Sequence, residues 1–561
     1  MDKRRMIAFV IAILMCLPLL AACGGSGKDS SSTATSSEPS APGTSSSGSS
    51  GSTGSSGSVT PPPQMSPDIA AVPGQAPEDV NARFADEIVI ITDGNGGSVI
   101  NPFYPAITIT AVFWTYNLIY DRLLYPVGVG EQGPNLATEW ETDDFVTFTL
   151  KLRDDVYFHN GDKFTAKDVV FTALTGRDSP GTVSNNIWGK VVDAIAVDDY
   201  TVQIILDGIN VDFWYLLARN DAVILNERAI AEDPEKGPWV GTGAYILREF
   251  VPLDHWIFER NDNYWGEPPI TPKLTMLHIP EPNTRTIMLL NGEAQIVFQA
   301  PKEDLYLFRD DPDYVFFQHI INNTSPIVFN LSHPVLSDWN FRMAVASAVD
   351  REEIAIGVSA DYVFPDYDYG ALWGYMTEFQ NKDLPLIPED LEAAKRYLEA
   401  STYNGETLVI TTALPENTKA AEIVQQQLNR IGINTELNRV EMTAINPMHQ
   451  SNQLEILCTG AQFYLNGATI RNLVYPNAPS NRAQYNNPEV TDLLDRAARE
   501  FDYNARGELY KEVQRILAED LPFFNLFWVS AISVGVKGIG GFNLPVDMYY
   551  DLRYIYWQLD D

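Results

Sequence analysis

Cysteine is nearly missing: three occur in 561 residues, and two of them, Cys16 and Cys23, precede residue 24. Only Cys458 remains in the body, so a structural disulfide there is excluded. Cys458 ends a mostly apolar run, Leu454–Cys458, and reads as a buried, inert thiol rather than a nucleophile. Histidine is scarce too, with six at 159, 255, 278, 319, 333 and 449. No two of them stand at metal-ligand spacing, so no metal is expected. There is no Gly-x-Ser-x-Gly elbow and no Ser-x-x-Lys motif with its partners. The glycine cluster Asp93-Gly94-Asn95-Gly96-Gly97 is not followed by Gly-Lys-Ser/Thr, which leaves a turn in place of a phosphate loop. Positive charge is short: 38 Lys+Arg against 74 Asp+Glu give a net charge of −36. That balance disfavours nucleic acid and anionic membrane surfaces as partners. Carboxylates are so abundant that pairs of them carry no weight as acid–base candidates. No catalytic residue and no cofactor is expected, and the chain does not read as an enzyme.

Long apolar runs are limited to one. Met6–Leu20 follows Lys3-Arg4-Arg5, is short for a transmembrane span, and leads into small residues, so residues 1–23 read as a secretion signal. Leu20-Ala21-Ala22-Cys23 resembles the bacterial lipobox, in which the cysteine is diacylated and becomes the mature N-terminus. Two acyl chains make a stable anchor where one is marginal. An ordinary signal peptide with a coincidental cysteine is the alternative. Residues 24–84 are rich in Ser, Gly, Thr and Pro and cannot bury a core. A flexible coil of about 55 residues spans roughly 40 Å, so this stretch reads as a tether. The expected location is the cell membrane, lipid-anchored through Cys23 and facing the extracytoplasmic side.

The remaining length is too great for one core, so two or three domains are expected. A short strand is read at Ile88–Ile91 and a helix over Thr110–Leu124, where Phe113, Tyr116, Asn117, Tyr120 and Leu124 recur at three- and four-residue spacing. Val146–Arg153 and Asp199–Leu206 alternate as half-buried strands. Thr165 and Asp168 predict a capping arrangement for a helix that begins at Ala166. Asn340–Ala348, Leu391–Ala400, Asn417–Ile431 and Arg506–Glu519 carry helical periodicity. Gly432 is expected to stop the third of these, and a further helix starts at Asn487-Pro488. Trp528–Val536 and Tyr549–Trp557 return to strand-like residues. The interleaving makes the class α/β or α+β.

The most organised stretch is Gly241–Gly266. It holds a glycine-rich turn, two strand-like runs (Ala244–Phe250 and Asp254–Arg260), and a Tyr-Trp pair on a closing turn. Its Gly241-Thr242-Gly243-Ala244-Tyr245 and Glu259-Arg260-Asn261-Asp262-Asn263-Tyr264-Trp265-Gly266 resemble signatures of the ABC-importer extracytoplasmic solute-binding proteins of the oligopeptide/dipeptide-binding family (family 5). Ala244 stands where that family has proline. Three further blocks stand in family order, Lys151–Val169 upstream and Asn340–Ile354 and Asn487–Tyr510 downstream.

The resemblance implies a two-lobed periplasmic-binding-protein-like α/β fold with a hinge and an extra domain inserted in the first lobe. By position, lobe I covers 85–117 and 236–322 with the insertion at 118–235, lobe II covers 323–530, and 531–561 returns to lobe I. The implied function is capture of a peptide or related extended solute between closing lobes, as a monomer, for delivery to an ABC permease and its ATPase. An oligosaccharide, a metal chelate or a sensing role on the same fold are the alternatives. Peptide-binding members hold the ligand's ammonium with an aspartate, yet 459–473 contains no acidic residue. The candidate ligand contacts are Asn101, Tyr116, Trp373, Phe463, Tyr464, Asn466 and Arg471, the last for an anionic group.

Overall fold

A computed structural model describes residues 83–93, 99–104, 110–128, 131–359, 363–365, 379–381, 383–384, 387–462, 467–542 and 551–559. Two long strands organise it, Tyr314–Phe329 and Phe523–Val536, which run antiparallel from Tyr314↔Val536 to Val328↔Phe523. The second, FFNLFWVSAISVGV, is aromatic and β-branched with almost every residue buried, as a strand covered on both faces requires. Pairing slips between Ile320 and Thr324 and again at Pro326, which has no N–H to give the ladder.

A different half-sheet grows from each end of this pair. On one side lie Ile296–Val297, Glu87–Thr92, Lys273–His278, His255–Arg260 and Tyr245–Val251, in that order. On the other lie Ile456–Cys458, Leu408–Thr412 and Thr435–Arg439. Glu87–Thr92 pairs parallel with both of its neighbours, and so does Leu408–Thr412. Each half is therefore a parallel nucleus, and helices cover it. A separate antiparallel sheet of four strands orders Ala137–Glu141, Thr147–Leu152, Thr201–Leu206 and Val191–Asp198.

Each sheet has its own apolar core. One gathers Trp114, Tyr116, Tyr245, Trp256 and Phe258; a second Phe341, Val345, Ile410, Val424 and Phe524; a third Phe148, Phe164, Trp188 and Phe213. Most elements fall where periodicity puts them. Helix Ala166–Arg177 carries the full capping box of Thr165 and Asp168, and Gly432 ends Pro415–Arg430 at φ +91°.

Two expectations are corrected. The helix read over Thr110–Leu124 stops at Ile119, because the Gly243 N–H takes the Ile119 carbonyl at 2.9 Å and Leu124 starts a strand. The terminal strand narrows to Tyr556–Trp557, since Asp551 and Arg553 fold back on each other in a turn.

Candidate functional site

The Gly241–Gly266 stretch closes around one buried carboxylate. Asp121, just past the helix Thr110–Ile119, accepts from Thr242 Oγ1 (3.0 Å), Trp265 Nε1 (2.9 Å) and Tyr264 OH (3.1 Å). Burial raises its pKa, opposed by the charge of Arg553 and by these three donors. Beside it Arg553 holds Asp551 at 2.6 Å, both nearly buried, and Tyr125 OH donates to Asp551 at 2.8 Å. Burial pushes the Asp551 carboxyl up, but Arg553 and Tyr125 outweigh it and hold the group down at about 2.

Glycine is required in the turn by close approach. A Cβ on Gly241 would stand 1.9 Å from the Ile119 carbonyl oxygen. His159, from the upstream block, also meets this turn: Gly241 N–H donates to Nδ1 at 3.4 Å and Nε2 lies 2.9 Å from the Gly243 carbonyl. The two signature blocks thus lock together, and the motif aromatics Tyr245 and Tyr264 are core residues.

The residues that face a cavity lie elsewhere. A cleft of about 840 Å³ opens over the paired long strands, with Thr324, Ser325, Phe527 and Val529 along its floor. One wall is built by Asp93, by Arg285 of helix Pro282–Leu290, and by the chain 299–303. The opposite wall is the end of helix Arg351–Ser359, the first residues of helix Pro415–Arg430, and Gly460. Gln299 on the first wall has a left-handed backbone, φ +50°, a strained state for a residue with a Cβ.

The charges across this cleft are mixed. Lys302 Nζ meets Glu416 Oε1 at 2.6 Å, joining one wall to the other. Burial lowers the Lys302 pKa against the pull of Glu416. Burial raises that of Glu416, but the Lys302 hydrogen bond and charge win and keep it below the usual carboxylate range. On the floor Asn417 donates to Ser325 Oγ, and Cys458 Sγ lies 3.5 Å from the Asn417 carbonyl. Cys458 is wholly buried, which pushes its thiol up to about 12 and fits the reading of an inert thiol. Among the described residues, no group of three or more His, Cys, Asp and Glu could hold a metal ion.

The candidate contacts from sequence scatter. Asn101 turns its Oδ1 to the Phe103 N–H at 2.9 Å, a local turn outside the cleft lining. Tyr116 is wholly buried in the first core, ring to ring with Tyr120 at 5.5 Å. Arg471 pairs with Asp495 at 2.6 Å and stacks over Tyr475 at 3.7 Å, also outside the cleft lining. Trp373, Phe463, Tyr464 and Asn466 lie outside the described residues, as does Cys23. The charged cleft residues Arg285, Lys302 and Glu416 escaped sequence reading. A faint signal existed for Arg285: Pro282 at a first turn and Gly292 at φ +72° bracket its helix.

The description of the bacterial extracellular solute-binding proteins, family 5 (middle part), matches residues 131–479. The dipeptide-binding protein of Escherichia coli (strain K12) is 25% identical over 453 residues, covering 72% of this chain and 82% of that protein. Heme-binding protein A of Haemophilus influenzae is 26% identical over 506 residues, covering 80% and 89%. The solved ABC transporter substrate-binding protein CtaP of Listeria monocytogenes superposes with a TM-score of 0.75 at 23% identity, over 85% of this chain and 100% of that one. The expected two-lobed α/β binding-protein fold is thereby borne out.

Proposed function

Because the chain belongs to the bacterial extracellular solute-binding proteins of family 5, we propose that it captures a peptide or related extended solute in the cleft between its lobes. The observation that carries this reading is the 840 Å³ cleft, whose two walls come from the two half-sheets and whose floor is their shared strand pair. A solute that touches both walls stabilises the closed arrangement only by its differential affinity for it. The closed form then docks on an ABC permease, and ATP is hydrolysed by other subunits, so this chain acts as a monomer with neither cofactor nor turnover.

The proposed lobe boundaries are 322/323 and 530/531, with the inserted domain at 118–235. In support, Ile320 pairs with Ser530 and Thr324 with Trp528 on either side of the break in register, so both cuts cross the strand pair at one place. A hinge there needs little new strain, because the ladder is already interrupted. Gly460 lines the cleft and the segment after it holds Phe463, Tyr464 and Asn466, which supports those three as solute contacts. Among the described residues no helix is long and apolar enough to cross a membrane. Membrane attachment is assigned to diacylated Cys23, and a Cys23→Ala chain that is still processed normally would overturn that assignment.

Heme-binding protein A is as similar to this chain as the dipeptide-binding protein is, which supports a non-peptide solute as the second reading. Titrating intrinsic tryptophan fluorescence with peptide, sugar and metal-chelate pools separates the two. Saturable quenching by the peptide pool alone is expected; a response confined to another pool would replace peptide as the substrate.

A further inference from the structure

Phe145 and Phe501 meet with ring centroids 4.7 Å apart, within the range of a favourable aromatic pair. Phe145 lies in the turn before strand Thr147–Leu152 of the four-stranded sheet, in the proposed inserted domain. Phe501 lies between helices Pro488–Ala497 and Tyr503–Asp520, in the proposed second lobe. It is 46% exposed even so, and takes no part in the apolar core that the two helices share with Phe523 and Trp528. Packing of its own helices therefore does not account for its position.

The turn around Phe145 is built to present the ring. Its backbone is left-handed, φ +52°, a costly state for a residue with a Cβ. Hydrogen bonds hold it there. The Phe145 N–H donates to Thr142 Oγ1 at 3.0 Å, and the Val146 and Thr147 N–H groups donate to Asp144 Oδ1 at 2.9 and 2.7 Å. The Phe145 carbonyl accepts from the Asn210 N–H at 2.9 Å. The same ring packs edge-on to Phe148 at 6.4 Å, so the contact with Phe501 continues into the core of the four-stranded sheet.

Charged groups meet at the same junction. Arg506, in the first turns of helix Tyr503–Asp520, is 8% exposed, and its Nε has no hydrogen-bond partner among the described residues. Asp212, two residues past Asn210, begins helix Phe213–Ala218, and its side chain makes no capping hydrogen bond. Burial raises the Asp212 carboxyl, and the charge of Arg506 opposes that rise. Phe145, Asp212, Phe501 and Arg506 are all outside the cleft lining. A junction outside the cleft restrains the lobes whether or not a solute is bound.

We propose that Phe145 and Phe501 form a latch by which the four-stranded domain grips the second lobe and biases the solute-free chain towards closure. The latch rests on the two-lobed capture reading for the motion it restrains, and goes beyond it by giving the inserted domain a part in that motion. An aromatic pair shifts an open–closed equilibrium by about two- to ten-fold. That is enough to bias closure and too little to prevent opening, and the solute supplies the remaining preference.

The test is small-angle X-ray scattering of the purified full chain without solute, for the wild type, Phe145→Ala, Phe501→Ala and the double variant. Each single variant is expected to raise the radius of gyration. The double variant should add nothing to the larger single effect, because both changes remove one contact. Phe501 is exposed enough for its alanine variant to fold, and thermal unfolding checks that it does. An unchanged radius in Phe501→Ala overturns the latch, and a marked fall in Tm beside it assigns the pair to static packing. Tryptophan quenching by the peptide, sugar and metal-chelate pools, run on the same samples, separates this result from the capture reading. Quenching by any pool without expansion of the variants overturns the latch and leaves capture standing. Expansion of the variants with no pool bound upholds the latch and removes the capture reading.

Discussion

Around Asp121 a buried charge is matched by three side-chain donors, whereas on the cleft wall the Nε of buried Arg285 has no hydrogen-bond partner among the described residues. Both regions are polar, but the first satisfies its buried carboxylate, and the second leaves one buried guanidinium nitrogen without an acceptor among the described residues. The first is also where the recognisable motifs sit: Thr242, Tyr264 and Trp265 belong to the stretch that resembles the family, and they are spent on holding the fold. The difference teaches that the motif which identifies this chain is scaffold.

The comparison makes its largest prediction at Gly241. Alanine there would put a Cβ 1.9 Å from the Ile119 carbonyl, an oxygen of the backbone that cannot swing aside. Gly241→Ala is expected to cost more than about 4 kcal/mol, enough to leave little folded protein. Asp121→Ala should follow at about 3 kcal/mol, since three buried donors lose one acceptor. Urea unfolding followed by circular dichroism measures both. Wild-type stability in Gly241→Ala would break the division between scaffold and cleft.

Next in size is a pH effect confined to the scaffold. Burial pushes His159 down to about 4, and its contacts with the Gly241 N–H and the Gly243 carbonyl suit the neutral ring. The folded value lies below the usual histidine value of about 6.5. Between the two, the unfolded chain binds a proton that the folded chain refuses, so stability rises with pH through that window. The contribution is complete above about 6.5 and is lost as pH falls towards about 4, roughly 2 kcal/mol for a half-buried group. Urea midpoints at about pH 7.5 and about pH 4.5 for the wild type and His159→Gln should diverge at the higher pH and converge at the lower one. Asp168, pushed up to about 6 by burial, works in the opposite direction but is common to both proteins and cancels. Parallel profiles would mean that His159 is hydrated and the two signature blocks are not locked as described.

How far the sequence could be read follows the same division. Alternation found Thr147–Leu152 and Thr201–Leu206, and cap chemistry found the start of Ala166–Arg177, because those signals are local. The lobed fold was legible through motifs because glycines and aromatics in tight contact tolerate few substitutions. The strand Tyr314–Phe329 went unread: its polar middle, Asn322-Asn323-Thr324-Ser325, breaks the apolar pattern. That polar stretch leads onto the cleft floor at Thr324 and Ser325. Cleft residues are illegible for a related reason. Lys302 and Glu416 are 114 positions apart and become partners only when two half-sheets face each other. An arginine on an exposed face and one in a cavity look alike in a sequence.

The smallest effect is expected at Arg471, and its smallness is what makes it useful. Sequence pointed to this residue for an anionic group, in the segment where the family's acidic anchor is missing. Here its charge is already taken by Asp495 at 2.6 Å, on side chains about a third exposed, and its guanidinium lies over Tyr475. A pair so exposed is worth at most about 1 kcal/mol, so Arg471→Gln should shift the urea midpoint slightly. Its affinity for the captured solute should match that of the wild type within about two-fold, because Arg471 lies outside the cleft lining. Isothermal titration of the variant checks this, and a loss of about ten-fold would mean that the solute is held near Arg471 and not over the paired long strands.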